Sequence, residues 1–379
     1  MIRPDGATWR SGYAAVCKTV YTSSILVVAS IHRFDIAYLK YSRVVPLRNV
    51  IAMAKSTESG DGRQVWKSLA AGLLVTVATL AGLEILLRIA DFRELRQGVS
   101  ERSLSYHHDA ELGWVPTPNS TSTATNARTV QVHHNSMGLR DDEFSLDAKP
   151  TILFLGDSFV WGLDAEAPER FSELLKPRIA SHNILAAGVS GYGTDQEYLL
   201  LQKLWPLVKP AVVVLVFCTV NDRGDNSTNI RYERYHKPYF VTAPDGSLEL
   251  AGQPVPLSYL QYVNEVWWVR NSWLARLAVA VYVKIRYPKL YVPDPTERLV
   301  DSIAQFVTAN GAKFFVGLQS EDKELISHLQ ERRIPFVSLD GAPFYPGASV
   351  GGHWTPEGQK MVADRFFDLL SASKAIPAN

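Results

Sequence analysis

Four residues of this chain, Ser158, Gly191, Asn221 and His353, are of types that together can carry out acyl transfer. Ser158 ends the run ILFLGDS, Gly191 lies in GVSGYG, Asn221 in TVND and His353 in GGHWTPEG. A serine at a tight strand-to-helix turn exposes its hydroxyl, and the start of a helix favours negative charge developing nearby. A glycine amide and an asparagine NH2 can donate to an oxyanion. A histidine brought in from a late loop can take the serine proton and return it to the leaving group. Singly, each residue has a duller use. Ser158 could cap a helix, Gly191 could permit positive φ, Asn221 could make a turn, and His353 could be a satisfied surface residue. Their common position at the ends of successive elements argues for chemistry.

The elements follow from the apolar runs. These recur as TILFLGDS (151–158), HNILAAGVSG (182–191), AVVVLVFCTVND (211–222), AKFFVGLQS (312–320) and IPFVSLDG (334–341). Helical patterns fall between them at 168–180, 194–204, 296–309, 321–331 and 356–372. Strands that are apolar throughout suit a parallel sheet covered on both faces, and strand–helix alternation implies right-handed βαβ units. The expected fold for residues 150–375 is therefore an α/β domain, a doubly wound, five-stranded parallel sheet of flavodoxin-like type. Such sheets bind ligands beyond the carboxyl ends of their strands, which is where the four residues stand.

With these motifs in chain order, the sequence resembles the SGNH hydrolases, also called the GDSL esterase and lipase family. GDSF matches the serine block, GVSGYG the glycine block, TVND the GxND block and HWTPEG the histidine block, over roughly residues 150–370. The connector piece NSMGLRDDEF and a single N-terminal apolar segment resemble a membrane-anchored bacterial subgroup. The resemblance implies catalytic Ser158 and His353, and an oxyanion hole of the Ser158 and Gly191 amides with the Asn221 side chain. It implies no metal or organic cofactor. Two positions depart from the family pattern. Thr219 replaces the first glycine of GxND. Gly351 and Val350 stand two and three positions before the histidine, where the family places an aspartate that orients the imidazole. A Ser-His dyad, an acid from elsewhere or a repurposed site would each answer this. Asp340 is the nearest candidate acid in sequence; Asp157 and Asp222 read as structural.

The other distinctive stretch is SLAAGLLVTVATLAGLEILL, residues 68–87, which has one charge and the length that crosses a bilayer. A helix apolar on every side is uncommon in a core, so a transmembrane signal-anchor over 65–92 is expected. Glu84 falls near its far end, close to the interface. Lys55, Arg63 and Lys67 precede the span while Arg88, Arg93, Arg96 and Arg102 follow it, so basic residues do not set its orientation. The simplest arrangement exports the C-terminal part, making a single-pass membrane protein with a periplasmic or extracellular catalytic domain. Residues 1–64 form an N-terminal segment without clear order. Met53 opens a start-like MAKSTESGDG, so translation is expected to begin there. Residues 93–149 are a connector without long periodic elements.

A net charge of +1 gives no reason to expect nucleic acid as a partner. The cysteines, Cys17 and Cys218, exclude a disulfide framework. An aromatic, basic and apolar insertion at 259–291 is expected to pack as a helix on the sheet; a lid or a membrane-surface helix is the alternative. RYERYHKPYF (231–240) could line the substrate groove. The expected function is a membrane-anchored serine esterase or acylhydrolase acting on an acylated or acetylated envelope glycan or lipid. An O-acyltransferase acting on a surface polysaccharide and a non-catalytic glycan-binding or assembly protein are the alternatives.

Overall fold

In the computed structural model, which describes residues 62–96, 105–143, 149–346 and 351–377, the five apolar runs are five strands of one sheet. They are β1 (Thr151–Gly156), β2 (Asn183–Gly188), β3 (Val212–Phe217), β4 (Lys313–Leu318) and β5 (Phe336–Ser338). The expected start at Met53, the basic positions Lys55 and Arg102, and Val350 lie outside the described residues. Every pairing in this sheet is parallel, in the order β5-β4-β3-β1-β2. That is the flavodoxin-like doubly wound order, whose crevice lies between β1 and β3.

The helices are α1 (Gly62–Ala90), α2 (Ser158–Trp161), α3 (Phe171–Leu175), α4 (Thr194–Val208), α5 (Asp222–Asn226), α6 (Tyr259–Glu265), α7 (Trp267–Asn271), α8 (Trp273–Arg286), α9 (Thr296–Ala309), α10 (Lys323–Arg332) and α11 (Pro356–Ala372). Because side chains alternate along a strand, β1 splits its residues between two cores. Leu153 and Leu155 join α4, α9 and α10 on one face. Ile152 and Phe154 join α3 and α11 on the other. Phe154 packs edge-on between Phe171 and Phe366, 5.2 Å from each ring. A side chain buried this completely contributes about 1.5–3 kcal/mol.

The expected helix over 168–180 is shorter than its pattern, ending at Leu175, because Pro177 has no N–H to continue the ladder. The connector is more ordered than its composition suggests. It holds two antiparallel hairpins, one pairing Tyr106–Asp109 with Gly113–Pro116 and the other Thr121–Thr125 with Thr129–His133.

The chain divides into two compact units, residues 1–79 and 80–379. In the first, the described residues belong to α1. This helix is long and apolar enough to cross a membrane, and its apolar stretch is unburied. The insertion departs from expectation in part, since Leu260 of α6 does join the first of the sheet's cores. Helices α6, α7 and α8 pack on one another around Val263, Val269, Val279 and Val283, a cluster separate from the sheet's two cores.

Candidate active site

The serine turn is built by close approach. Asp157 caps α2 by accepting from the Phe159 amide at 2.9 Å, and its other oxygen lies 3.4 Å from Ser158 Oγ. A Cβ on Gly188 would lie 2.2 Å from the Trp161 amide, so only glycine lets β2 pass beneath α2. At four residues, α2 is too short to supply much of the dipole expected at the serine.

His353 arrives from the far end of the sequence. Its carbonyl accepts from the Tyr345 amide at 2.9 Å, and Trp354 beside it is fully buried against Phe159, ring to ring at 4.7 Å. These contacts fix the histidine before α11, which Thr355 caps. Ser158 Oγ and His353 Nε2 are 2.8 Å apart, both residues being buried. Burial pulls the imidazole pKa below its ordinary value, and the Asp157 and Asp164 carboxylates pull it back up. The ring is thus kept neutral and able to accept a proton near neutral pH.

The carboxylate behind the histidine is Asp164, not Asp340. Asp164 Oδ2 lies 3.8 Å from His353 Nδ1, and the Gly351 carbonyl also favours the protonated ring. Asp164 is wholly buried and held at left-handed φ 67°. Its oxygens accept from Asn126 Nδ2 at 2.8 Å and from the Ala127 amide at 2.9 Å. Asn126 also donates to the Gly351 carbonyl at 3.1 Å, tying the histidine loop to the same hairpin turn. Asp340 is exposed at the end of β5, where Arg365 takes its carbonyl, so its carboxylate does not serve His353.

The connector motif NSMGLRD braces the loop that carries Asp164. Asn135 Oδ1 accepts from the Met137 and Leu139 amides, folding the segment into a turn. Arg140 then reaches inward and donates to the carbonyls of Trp161, Gly162 and Ala165. Its guanidinium lies over the Trp161 ring at 4.7 Å. Burial, with Arg170 nearby, lowers its pKa to about 9.

Gly191 occupies the turn Val189–Tyr192 at φ 83°, a conformation that favours glycine. Among the described residues no acceptor takes its buried amide. Asn221 lines the same cavity as Ser158 and His353, but its Nδ2 rests on Asp225 at 2.9 Å and Asp222 at 3.1 Å. Thr219, at the departed glycine position, bonds Gln319 at the end of β4. The cavity encloses about 590 Å³ and its rim includes Arg231, Tyr232, Phe344 and Tyr345. Arg231 comes from the 231–240 segment and pairs with Asp225 at 2.6 Å.

Among the described residues, two acid clusters have metal-like spacing: Asp157 with Cys218 and Asp222, and Asp141 with Asp142 and Glu173. In the first, burial pushes the Cys218 thiol and the Asp222 carboxyl well up, toward their protonated forms. In the second, Lys176 Nζ already sits on Asp141 and Glu173, at 2.7 and 2.8 Å.

No family model matches the chain, and no curated protein does. Solved structures similar to it include TesA, at 16% identity and a TM-score of 0.34 over 59% of this chain and 98% of that one. A GDSL-like lipase from Bacteroides thetaiotaomicron is 14% identical, with a TM-score of 0.33, over 59% of this chain and 89% of its own. Est24, a carbohydrate acetylesterase from Sinorhizobium meliloti, is 13% identical, with a TM-score of 0.31, over 59% and 100%. At these values the likeness carries no argument about chemistry, which rests on the geometry above.

Proposed function

We propose that this chain is a serine acylhydrolase of the SGNH type, tethered by α1 and working outside the cytoplasm. The observation that most directly supports this is the 2.8 Å contact of Ser158 Oγ with His353 Nε2, backed by the buried Asp164 carboxylate. Ser158 Oγ attacks the ester carbonyl carbon while His353 Nε2 takes its proton. The oxyanion meets the Ser158 and Gly191 amides, and Asn221 Nδ2 joins them by turning from Asp225. The imidazolium, stabilised by Asp164, gives its proton to the leaving alcohol. Water, deprotonated by the same nitrogen, then releases the acid and frees the serine.

An acylated or acetylated envelope glycan or lipid fits the cavity's aromatic and cationic rim. A buried carboxylate 3.8 Å from His353 Nδ1 supports a catalytic site over a degenerate one. Incubation with p-nitrophenyl acetate, with and without a sugar acceptor, separates the remaining readings. Acetate release by the wild type and not by Ser158→Ala supports the hydrolase. Acetylated sugar in place of acetate would make it an O-acyltransferase, and neither product would refute both.

A further inference from the structure

Helix α8 is apolar on two opposite faces. Val279 and Val283 point into the small cluster shared with α6 and α7. On the other side Leu277, Val281, Tyr282 and Ile285 are exposed, at the i, i+4, i+8 spacing that makes one stripe. Trp267 and Trp268, on the preceding α7, are exposed as well, at 76% and 54%. No charged residue interrupts the stripe, whereas Lys284 and Arg286 flank it and Arg270 lies on α7.

The N-terminus of α8 is fastened to the last turns of the apolar helix α1. The Glu84 carboxylate accepts from the Trp273 and Leu274 amides, both at 2.9 Å, and from Ser272 Oγ. Arg88 donates to the Asn271 carbonyl at 2.7 Å. One carboxylate from α1 therefore takes two first-turn amides of α8, beside the cap that Ser272 makes on Ala275. Leu277, the first residue of the stripe, lies one turn beyond Leu274, whose amide Glu84 holds.

We infer that α7 and α8 form a membrane seat, with Trp267, Trp268 and the Leu277–Val281–Ile285 stripe lying in the interfacial layer of the bilayer that α1 enters. This rests on the reading of α1 as a membrane span. Its chemistry is that of an interfacial helix: tryptophans at headgroup depth, aliphatic side chains among the upper acyl carbons and basic residues toward anionic lipid. The seat also reaches the active site. The segment following α8 is bonded to the rim segment, Leu290 O accepting from Thr228 Oγ1 at 3.0 Å and Pro288 O from Asn229 Nδ2 at 3.1 Å. The cavity rim at Arg231 and Tyr232 is thereby held at a set height above the lipid, which suits an acyl substrate anchored in, or lying on, that membrane.

The test uses the full chain reconstituted in phosphatidylcholine and phosphatidylglycerol vesicles carrying a phospholipid with a photoreactive diazirine on its acyl chain. After irradiation, adducts are mapped by mass spectrometry. The seat predicts adducts on peptides covering 267–285 as well as on those covering α1. In a Leu277→Gln, Val281→Gln, Ile285→Gln variant, whose substituted side chains are already exposed, labelling of 267–285 should fall at least fivefold while that of α1 stays. Adducts confined to α1 would overturn the seat and leave the anchor standing. Adducts in neither region would overturn both.

Discussion

Replacing Asp164 by asparagine removes one charge from behind the histidine, together with the acceptor of the Asn126 Nδ2 hydrogen bond. Asparagine is among the few residues that accept a left-handed backbone, so φ 67° is tolerated, and its amide oxygen can still accept from the Ala127 amide. The charge itself matters through the imidazolium formed when Ser158 gives up its proton. At 3.8 Å, with an effective dielectric of about 20, the attraction between Asp164 and that imidazolium is about 4 kcal/mol. Losing it should lower kcat roughly a thousandfold; asparagine at the acid of a serine triad costs about 10⁴. The pH profile adds a second readout. Asp164 favours protonated His353, so its removal should move the acid limb of kcat/KM to lower pH while the plateau drops. In the wild type that limb should already lie below about 6.5, the ordinary histidine value, because burial depresses the pKa of His353. The measurement is steady-state hydrolysis of p-nitrophenyl acetate across pH 4–9, with Asp340→Asn as control. A kcat for Asp164→Asn within threefold of the wild type, with an unmoved acid limb, would refute the assignment.

Three further outcomes are expected. Arg140→Met leaves the carbonyls of Trp161, Gly162 and Ala165 without their buried donor; it should cost about 3 kcal/mol in chemical denaturation and lower kcat more than it raises KM. Lys237→Met leaves the wholly buried Asp195 carboxylate unpaired, and a broken buried pair costs about 3–5 kcal/mol, read as a fall in Tm. Gly191→Ala strains a backbone at φ 83° by roughly 1–2 kcal/mol; because its amide is the proposed oxyanion donor, kcat should fall at least tenfold while the fold survives, as checked by circular dichroism.

Much of the fold is legible in the sequence because parallel strands buried on both faces must be apolar throughout. The runs at 151–158 and 211–222 therefore mark β1 and β3 and, with them, the crevice between the two. Ser158 and His353 are legible for a related reason, since residues at strand ends and before the last helix converge on that crevice. Asp164 is not legible. It lies six residues after the serine in WGLD, and it faces His353 only because Arg140 holds its loop and Asn126 ties that loop to Gly351. These contacts cross the connector, whose strands are too short to show a period. TVQVH does alternate, with Val130 and Val132 inward, but five residues alone do not distinguish a hairpin from a loop. The insertion misleads for the opposite reason. Its apolar residues exceed what one packed face needs, so an apolar helix is expected to lie on the sheet, when the surplus is instead exposed along α8.

The central claim is that Ser158 is a nucleophile activated by His353. The direct measurement is reaction of the folded full-length chain with a fluorophosphonate, followed by mapping of the adduct. The account predicts a single stoichiometric adduct on Ser158, absent in Ser158→Ala and formed at least a hundredfold more slowly in His353→Ala. A folded chain left unlabelled, or labelled on a serine other than Ser158, would contradict it.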